Sequence, residues 1–173
     1  LELVKMENLS PELGADFIKN SLLIGALAIL AVAIVVYIRY RKAQVFLPMV
    51  FTMGSEVVLL LGLAGLIGWN IDLAAIAGII IAVGTGVDDQ IVITDEVLRG
   101  EKTRYVNWKT KFKNAFFIIM AAFFTTAVAM IPLYFAGAGM LKGFAITTLI
   151  GITFGVFITR PAFASIVEIL LKE

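Results

Sequence analysis

The sequence predicts an all-α integral membrane protein that crosses the bilayer five times. Of its 173 residues, 61% are hydrophobic and only 16% are charged, and the mean hydropathy is +1.00. A soluble domain usually has about 45–50% apolar and about 25% charged residues. Uncharged stretches of roughly 20 residues, the length that a helix needs to cross a bilayer, recur along the chain. This composition argues against a disordered tail, a nucleic-acid-binding domain and a cytosolic enzyme.

Charged residues and turn residues divide the chain into spans. Nineteen uncharged residues between Lys19 and Arg39 predict the first span. The stretch 43–87 is too long for one helix, and a polar turn at 68–72 divides it. A stretch of 28 uncharged residues, 114–141, ends in a turn-like Gly-Ala-Gly sequence, after which the last span follows. We therefore expect spans near 18–38, 45–68, 72–94, 114–135 and 143–167.

The basic residues predict the orientation of these spans, because loops rich in Lys and Arg stay in the cytoplasm. The loops after the first and third spans are basic, whereas the other two loops carry one basic residue between them, Lys142. We therefore expect an external N-terminus and a cytoplasmic C-terminus in a multi-pass plasma-membrane protein. An external N-terminus without a leader predicts that residues 1–15 are the stub of an external domain in a larger protein.

Ionisable side chains inside the predicted spans are candidate functional residues, because they are expensive to bury in a membrane. Asp88 and Asp89 lie in the third span and Glu56 in the second. The two aspartates are 100° apart on a helix, so that only one can face a given neighbour. The sequence Gly84-Thr85-Gly86 before them allows another helix to approach closely. Because a desolvated carboxyl group favours its neutral form, Asp88 and Asp89 are the proton-coupling candidates.

Structural roles are the alternative for these and neighbouring side chains. Asp89 is close enough to the interface to cap its helix or to snorkel, and Arg160 is expected to snorkel at the cytoplasmic end of the last span. Glu56 has hydroxyls nearby and is expected either to assist the aspartates or to be a protonated packing group.

Threonines form a second group of candidates. Thr125, Thr126 and Thr147 are possible hydrogen-bond partners of a membrane-embedded carboxyl, although such threonines often bond back to their own helix instead. The chain has no cysteine and no histidine, which removes disulfides, thiol catalysis and the common zinc sites. With no nucleophile–base pair and no cofactor loop in the sequence, we expect neither an enzyme nor a cofactor or metal site.

Four stretches of the sequence resemble the C-terminal membrane half of the SecD family, in its archaeal form. SecD proteins are protein-export accessory subunits of the resistance-nodulation-division superfamily. The sequence Gly84-Thr85-Gly86-Val87-Asp88-Asp89-Gln90 aligns with the family signature Gly-x-x-Val-Asp-Ala-Asn, and it differs by placing a second carboxyl beside the first. The other stretches that carry the resemblance are 13–22, the pair Thr125-Thr126, and 137–147 with its sequence Lys142-Gly143-Phe144-Ala145.

The resemblance implies one half of a twelve-span bundle, formed as a heterodimer with SecF beside a SecYE-type translocon. It implies a role in late steps of protein export or membrane insertion, with contact to the translocating polypeptide and to membrane lipid but not to nucleic acid. It also implies that Asp88 takes part in a conformational change driven by a proton gradient. Two alternatives remain open: half of a lipid or drug exporter of the same superfamily, and a passive membrane scaffold for the external domain.

Overall fold

A computed structural model describes residues 11–69, 71–99, 108–136 and 140–172. Within these ranges the chain is all-helical, and five of its helical segments are long and apolar enough to cross a membrane, which confirms the predicted fold class. The helices are α1 (Pro11–Tyr40), α2 (Ala43–Ile67), α3 (Leu73–Arg99), α4 (Trp108–Ala136), α5 (Met140–Phe154) and α6 (Arg160–Lys172). The first ten residues of the predicted stub and the turn at 137–139 lie outside the described residues.

A π-helical segment, Gly155–Thr159, joins α5 to α6 within the fifth span. The backbone N–H of Arg160 donates to the carbonyl of Gly155, five residues earlier. A π-helical turn adds one residue to the helical repeat and therefore rotates the side chains that follow it. Arg160 is the first residue after this change of register.

The polar turn predicted between the second and third spans ends α2 and begins α3. Gly68 has a φ of 69°, and the N–H of Trp69 donates to the carbonyl of Ala64 over 2.8 Å, which closes α2 with a left-handed cap. The carboxylate of Asp72 then accepts a 2.7 Å hydrogen bond from the N–H of Ala75, as an N-cap residue does. The turn therefore supplies capping hydrogen bonds to both helix ends.

Helix α3 lies at the centre of the bundle, in contact with every other long helix and most extensively with α5. Small residues allow this close approach: a methyl group added to Gly151 on α5 would overlap the side chain of Ala82 on α3, and one added to Gly78 would overlap Thr147. Helices α1 and α4 lie at the periphery and expose many large apolar side chains, which suits a surface that faces lipid. The central position of α3 makes its polar residues the natural place for a site.

Candidate functional site

Arg160 lies in the interior of the bundle, and the prediction that it snorkels to the membrane interface is wrong. Its side chain is 0% exposed. Its Nη1 lies 2.6 Å from Oε2 of Glu56 on α2, and its Nε lies 3.2 Å from Oδ2 of Asp89 on α3. An arginine snorkels when its charge would otherwise lie unpaired in apolar surroundings. Here two carboxylates pair with the Arg160 guanidinium and offset the cost of its burial. The guanidinium therefore ties α2, α3 and α6 together.

Two glycines make room for the Arg160 side chain. A methyl group on Gly86 of α3 would lie 2.5 Å from Nη2 of Arg160, and one on Gly155 would lie 2.6 Å from its Cζ. Helical side chains point towards the N-terminus of their helix, so Arg160 lies back over the π-helical segment and its Gly155. The two glycines of the Gly84-Thr85-Gly86 sequence therefore differ in their surroundings. Gly86 packs against Arg160, whereas Gly84 has open space where a side chain would be.

Thr159 connects the π-helical segment to the charged groups. Its hydroxyl lies 2.6 Å from Nη1 of Arg160, which donates to it, and 3.2 Å from Oε2 of Glu56. The sequence analysis missed both Thr159 and Arg160 as members of a site. The available signal was that two carboxylates inside neighbouring spans require a cation, and Arg160 interrupts the apolar fifth span.

Glu56 is 1% exposed, and its hydrogen-bond donors come from the fifth span rather than from the nearby hydroxyls of its own helix. Thr52 donates to the carbonyl of Pro48 over 2.8 Å, and Ser55 donates to the carbonyl of Thr52. The oxygen of the Thr52 hydroxyl also accepts a 2.8 Å hydrogen bond from Nε2 of Gln90, which is fully buried. This buried hydrogen bond joins α2 to α3.

Asp88 and Asp89 face in different directions, as the helical repeat predicts. Asp89 is 7% exposed and lies among the buried residues of α3. Asp88 is exposed, on a stripe of α3 that also includes the exposed Ala77 and Ile81. The alternative that Asp89 snorkels does not fit its pairing with Arg160. Helix α3 thus presents the carboxylate of Asp89 to the interior of the bundle and that of Asp88 to the outer surface.

The threonine candidates have separate surroundings. The hydroxyl of Thr125 is exposed and donates to the carbonyl of Ala122 on its own helix, and Thr126 is half-buried. Thr147 is buried and donates to the carbonyl of Gly143 over 2.9 Å. For Thr125 and Thr147 this is the local bonding that the sequence analysis gave as the alternative to a role beside a carboxyl.

Comparison with known proteins identifies the family. The family model described as "Protein export membrane protein SecD/SecF, C-terminal" matches residues 1–170. The chain belongs to this family. The SecD of Methanocaldococcus jannaschii is 49% identical over 173 residues, which are all of this chain and 43% of that protein. The SecD of Haloferax volcanii is 51% identical over 95% of this chain and 32% of that protein.

More distant members of the family agree with the fold. The SecD subunit of a Synechocystis strain is 31% identical over 91% of this chain and 34% of that protein. The crystal structure of SecDF from Thermus thermophilus, described as a translocon-associated membrane protein, matches with a TM-score of 0.78 at 23% identity. That match covers 94% of this chain and 23% of the SecDF chain. The SecD family resemblance seen in the sequence is therefore confirmed, and the chain is part of a family of membrane proteins.

We predict that Arg160→Gln destabilises the protein by about 3–5 kcal/mol, because it leaves two buried carboxylates without their cation. The matched control is Arg39→Gln, since Arg39 is 62% exposed and pairs with Asp95 over 3.3 Å; an exposed pair contributes at most about 1 kcal/mol. The free energy of unfolding of the full-length protein in mixed detergent micelles measures both. Adding Glu56→Gln to Arg160→Gln should restore part of the loss, and equal losses for the two arginine variants would contradict the prediction.

Proposed function

We propose that this chain is the membrane-embedded half of a SecD-type subunit that supports late steps of protein export or membrane insertion. The family match along the chain supports this role, and it favours protein export over the lipid- or drug-exporter alternative. The chain spans 43% of the length of its M. jannaschii relative, and the role proposed here is that of the membrane-embedded part of such a protein. The role is that of an accessory subunit rather than an enzyme.

We propose that the face of α3 carrying Asp88 packs against a second membrane subunit, a SecF-type partner, beside a SecYE-type translocon. The observation that carries this proposal is the exposure of Asp88 on a helix of membrane-spanning length. A carboxylate that faced lipid at this depth would be costly, whereas one that faces a neighbouring subunit can be hydrated or paired. The small side chain of Ala77 and the open space beside Gly84 on the same helix allow another helix to approach.

We propose that Asp88 responds to protons during export. A carboxyl at a subunit interface can be neutral when apolar side chains cover it and charged when water or a cation reaches it. Its charge state then favours one arrangement of the two subunits over another, which couples an ion gradient to movement. Asp88 is the position that matches the Asp of the family signature.

The proposed orientation has the N-terminus outside and the C-terminus in the cytoplasm. The full-length protein, freed of any cysteine outside this chain, provides the test with Lys42→Cys and Lys142→Cys, since both lysines are exposed. A membrane-impermeant thiol reagent added to intact cells should label position 142, which is expected outside. Position 42 should be labelled only after lysis, and the reverse pattern would contradict the orientation.

We predict that Asp88→Asn in the full-length protein strongly reduces export of a reporter protein while the complex with its partner stays intact. The substitution keeps the size of the side chain and removes its ability to carry charge. Glu96→Gln is the matched control, because Glu96 lies on the same helix near its end and accepts only a weak 3.5 Å hydrogen bond from Asn114; it should export normally. Normal export by the Asp88 variant would instead favour the passive-scaffold alternative.

A further inference from the structure

The buried charges of the bundle do not balance. Arg160 brings one positive charge into contact with two carboxylates, those of Glu56 and Asp89. If all three groups are ionised, the interior holds one excess negative charge in surroundings of low dielectric constant. Burying an uncompensated charge costs several kcal/mol, and a buried acid usually avoids this cost by binding a proton. The charge count therefore requires one more positive charge at this place.

One carboxylate oxygen beside Arg160 has no hydrogen-bond partner. The described buried side-chain atoms without a partner are Oε1 of Glu56, Oε1 of Gln90, Oγ1 of Thr148 and Nη2 of Arg160. Oε1 of Glu56 is buried and has no hydrogen-bond partner, although Oε2 of the same carboxylate accepts from Arg160 and Thr159. Buried polar atoms are nearly always paired in proteins. Glu56 is 1% exposed, and a proton on its unpaired oxygen removes the excess charge without displacing an existing hydrogen bond.

The other described ionisable groups near these helices do not supply the missing charge. Asp88 is on the exposed face of α3. Arg39 and Tyr40 on α1 contact Asp95, and Lys111 on α4 donates to the carbonyl of Val97; these contacts lie more than one helical turn past Asp89. Among the described residues, Arg160 is the only basic side chain that pairs with either carboxylate. The other described ionisable side chains of these helices are on α1 (Lys19, Tyr37), α3 (Glu96), α4 (Lys109, Lys113, Tyr134), α5 (Lys142) and α6 (Glu168).

We propose that Glu56, Asp89 and Arg160 form a proton-binding site inside this subunit, separate from Asp88. The site holds one exchangeable proton for its two carboxylates, with Oε1 of Glu56 as its place. A hydronium ion in the surrounding water gives up a proton as its own O–H bond breaks and it becomes water, and the proton forms an O–H bond to the carboxylate oxygen; the reverse step releases it. Asp89 provides the access, because its side chain keeps 10% of its surface exposed whereas that of Glu56 keeps 1%. The proposal does not depend on the role of the protein in export.

A proton fits this place better than a metal cation. Both carboxylates already accept hydrogen bonds from the guanidinium, and a cation between them would meet the positive charge of Arg160 at close range. A proton needs no coordination shell and becomes part of the carboxyl group. It leaves both bonds of Arg160 in place, since Nη1 bonds to Oε2 of Glu56 and Nε to Asp89.

The geometry links this proton to the π-helical segment. Thr159 in that segment contacts both Glu56 and Arg160, and Gly155 packs against the guanidinium. When the proton leaves, the attraction between Glu56 and Arg160 increases. The residues in contact with the changing charge, Thr159 and Gly155, therefore lie in the segment where the fifth span departs from the α-helical register. Such π-helical turns are frequent at functional sites.

The experiment is infrared difference spectroscopy of the full-length protein with its partner in lipid, recorded between acidic and alkaline buffers. A protonated carboxyl group has a C=O stretching band that a carboxylate lacks, and the band shifts in D₂O. We expect such a band to be present in the Asp88→Asn variant and to fade as the pH rises. Both Glu56→Gln and Asp89→Asn should remove it, because each leaves one carboxylate for one guanidinium and no need for a proton.

The variants distinguish the proposal from its alternatives. A band that disappears in Glu56→Gln but persists in Asp89→Asn would mean that Glu56 is protonated for local reasons, which overturns the shared site. The shared site is also overturned if no carboxyl band is lost in both variants, or if the band that is lost does not change with pH. Both substitutions keep side-chain size and balance the charges, so the variants should fold at least as well as the parent. The export result with Asp88→Asn is independent of this spectrum.

Discussion

The interaction on which the rest of the structure depends is the contact of the Arg160 guanidinium with Glu56 and Asp89. It joins three helices that are far apart in the sequence, and it does so at a depth where each charge alone would be prohibitively expensive. The glycines at 86 and 155 leave the space that this large side chain occupies, and the π-helical segment ends directly before Arg160. Removing Arg160 leaves two buried carboxylates that no other cation among the described residues pairs with.

Because successive residues of a helix point in directions 100° apart, α3 places the carboxyls of Asp88 and Asp89 in different surroundings. Asp89 belongs to the interior of the subunit, whereas Asp88 lies on the surface where a second subunit can reach it. Asp89, the carboxyl next to Asp88, is thus the one paired with the arginine of the fifth span. The two acids can therefore serve different purposes although they are adjacent in sequence.

The fold class could be predicted from the composition and from the lengths of the uncharged stretches. The different directions of the two aspartates could be predicted from helical geometry, because neighbouring residues on a helix always point in different directions. The turn at 68–72 was equally visible, since Gly68 and Asp72 cap the helices on either side. The position of Arg160 could not be predicted in this way. Near the end of a span, an arginine can either snorkel or find buried partners, and the choice depends on whether Glu56 on a distant helix lies within reach. The π-helical turn that rotates Arg160 likewise has no clear local signature.

The most direct test of this account is an electron cryo-microscopy map of the full-length protein bound to its partner in lipid, at a resolution that shows side chains. We expect guanidinium density for Arg160 between Glu56 and Asp89, and Asp88 facing a span of the partner. Density for Arg160 that extends to the membrane interface, with Asp88 facing lipid, would contradict it.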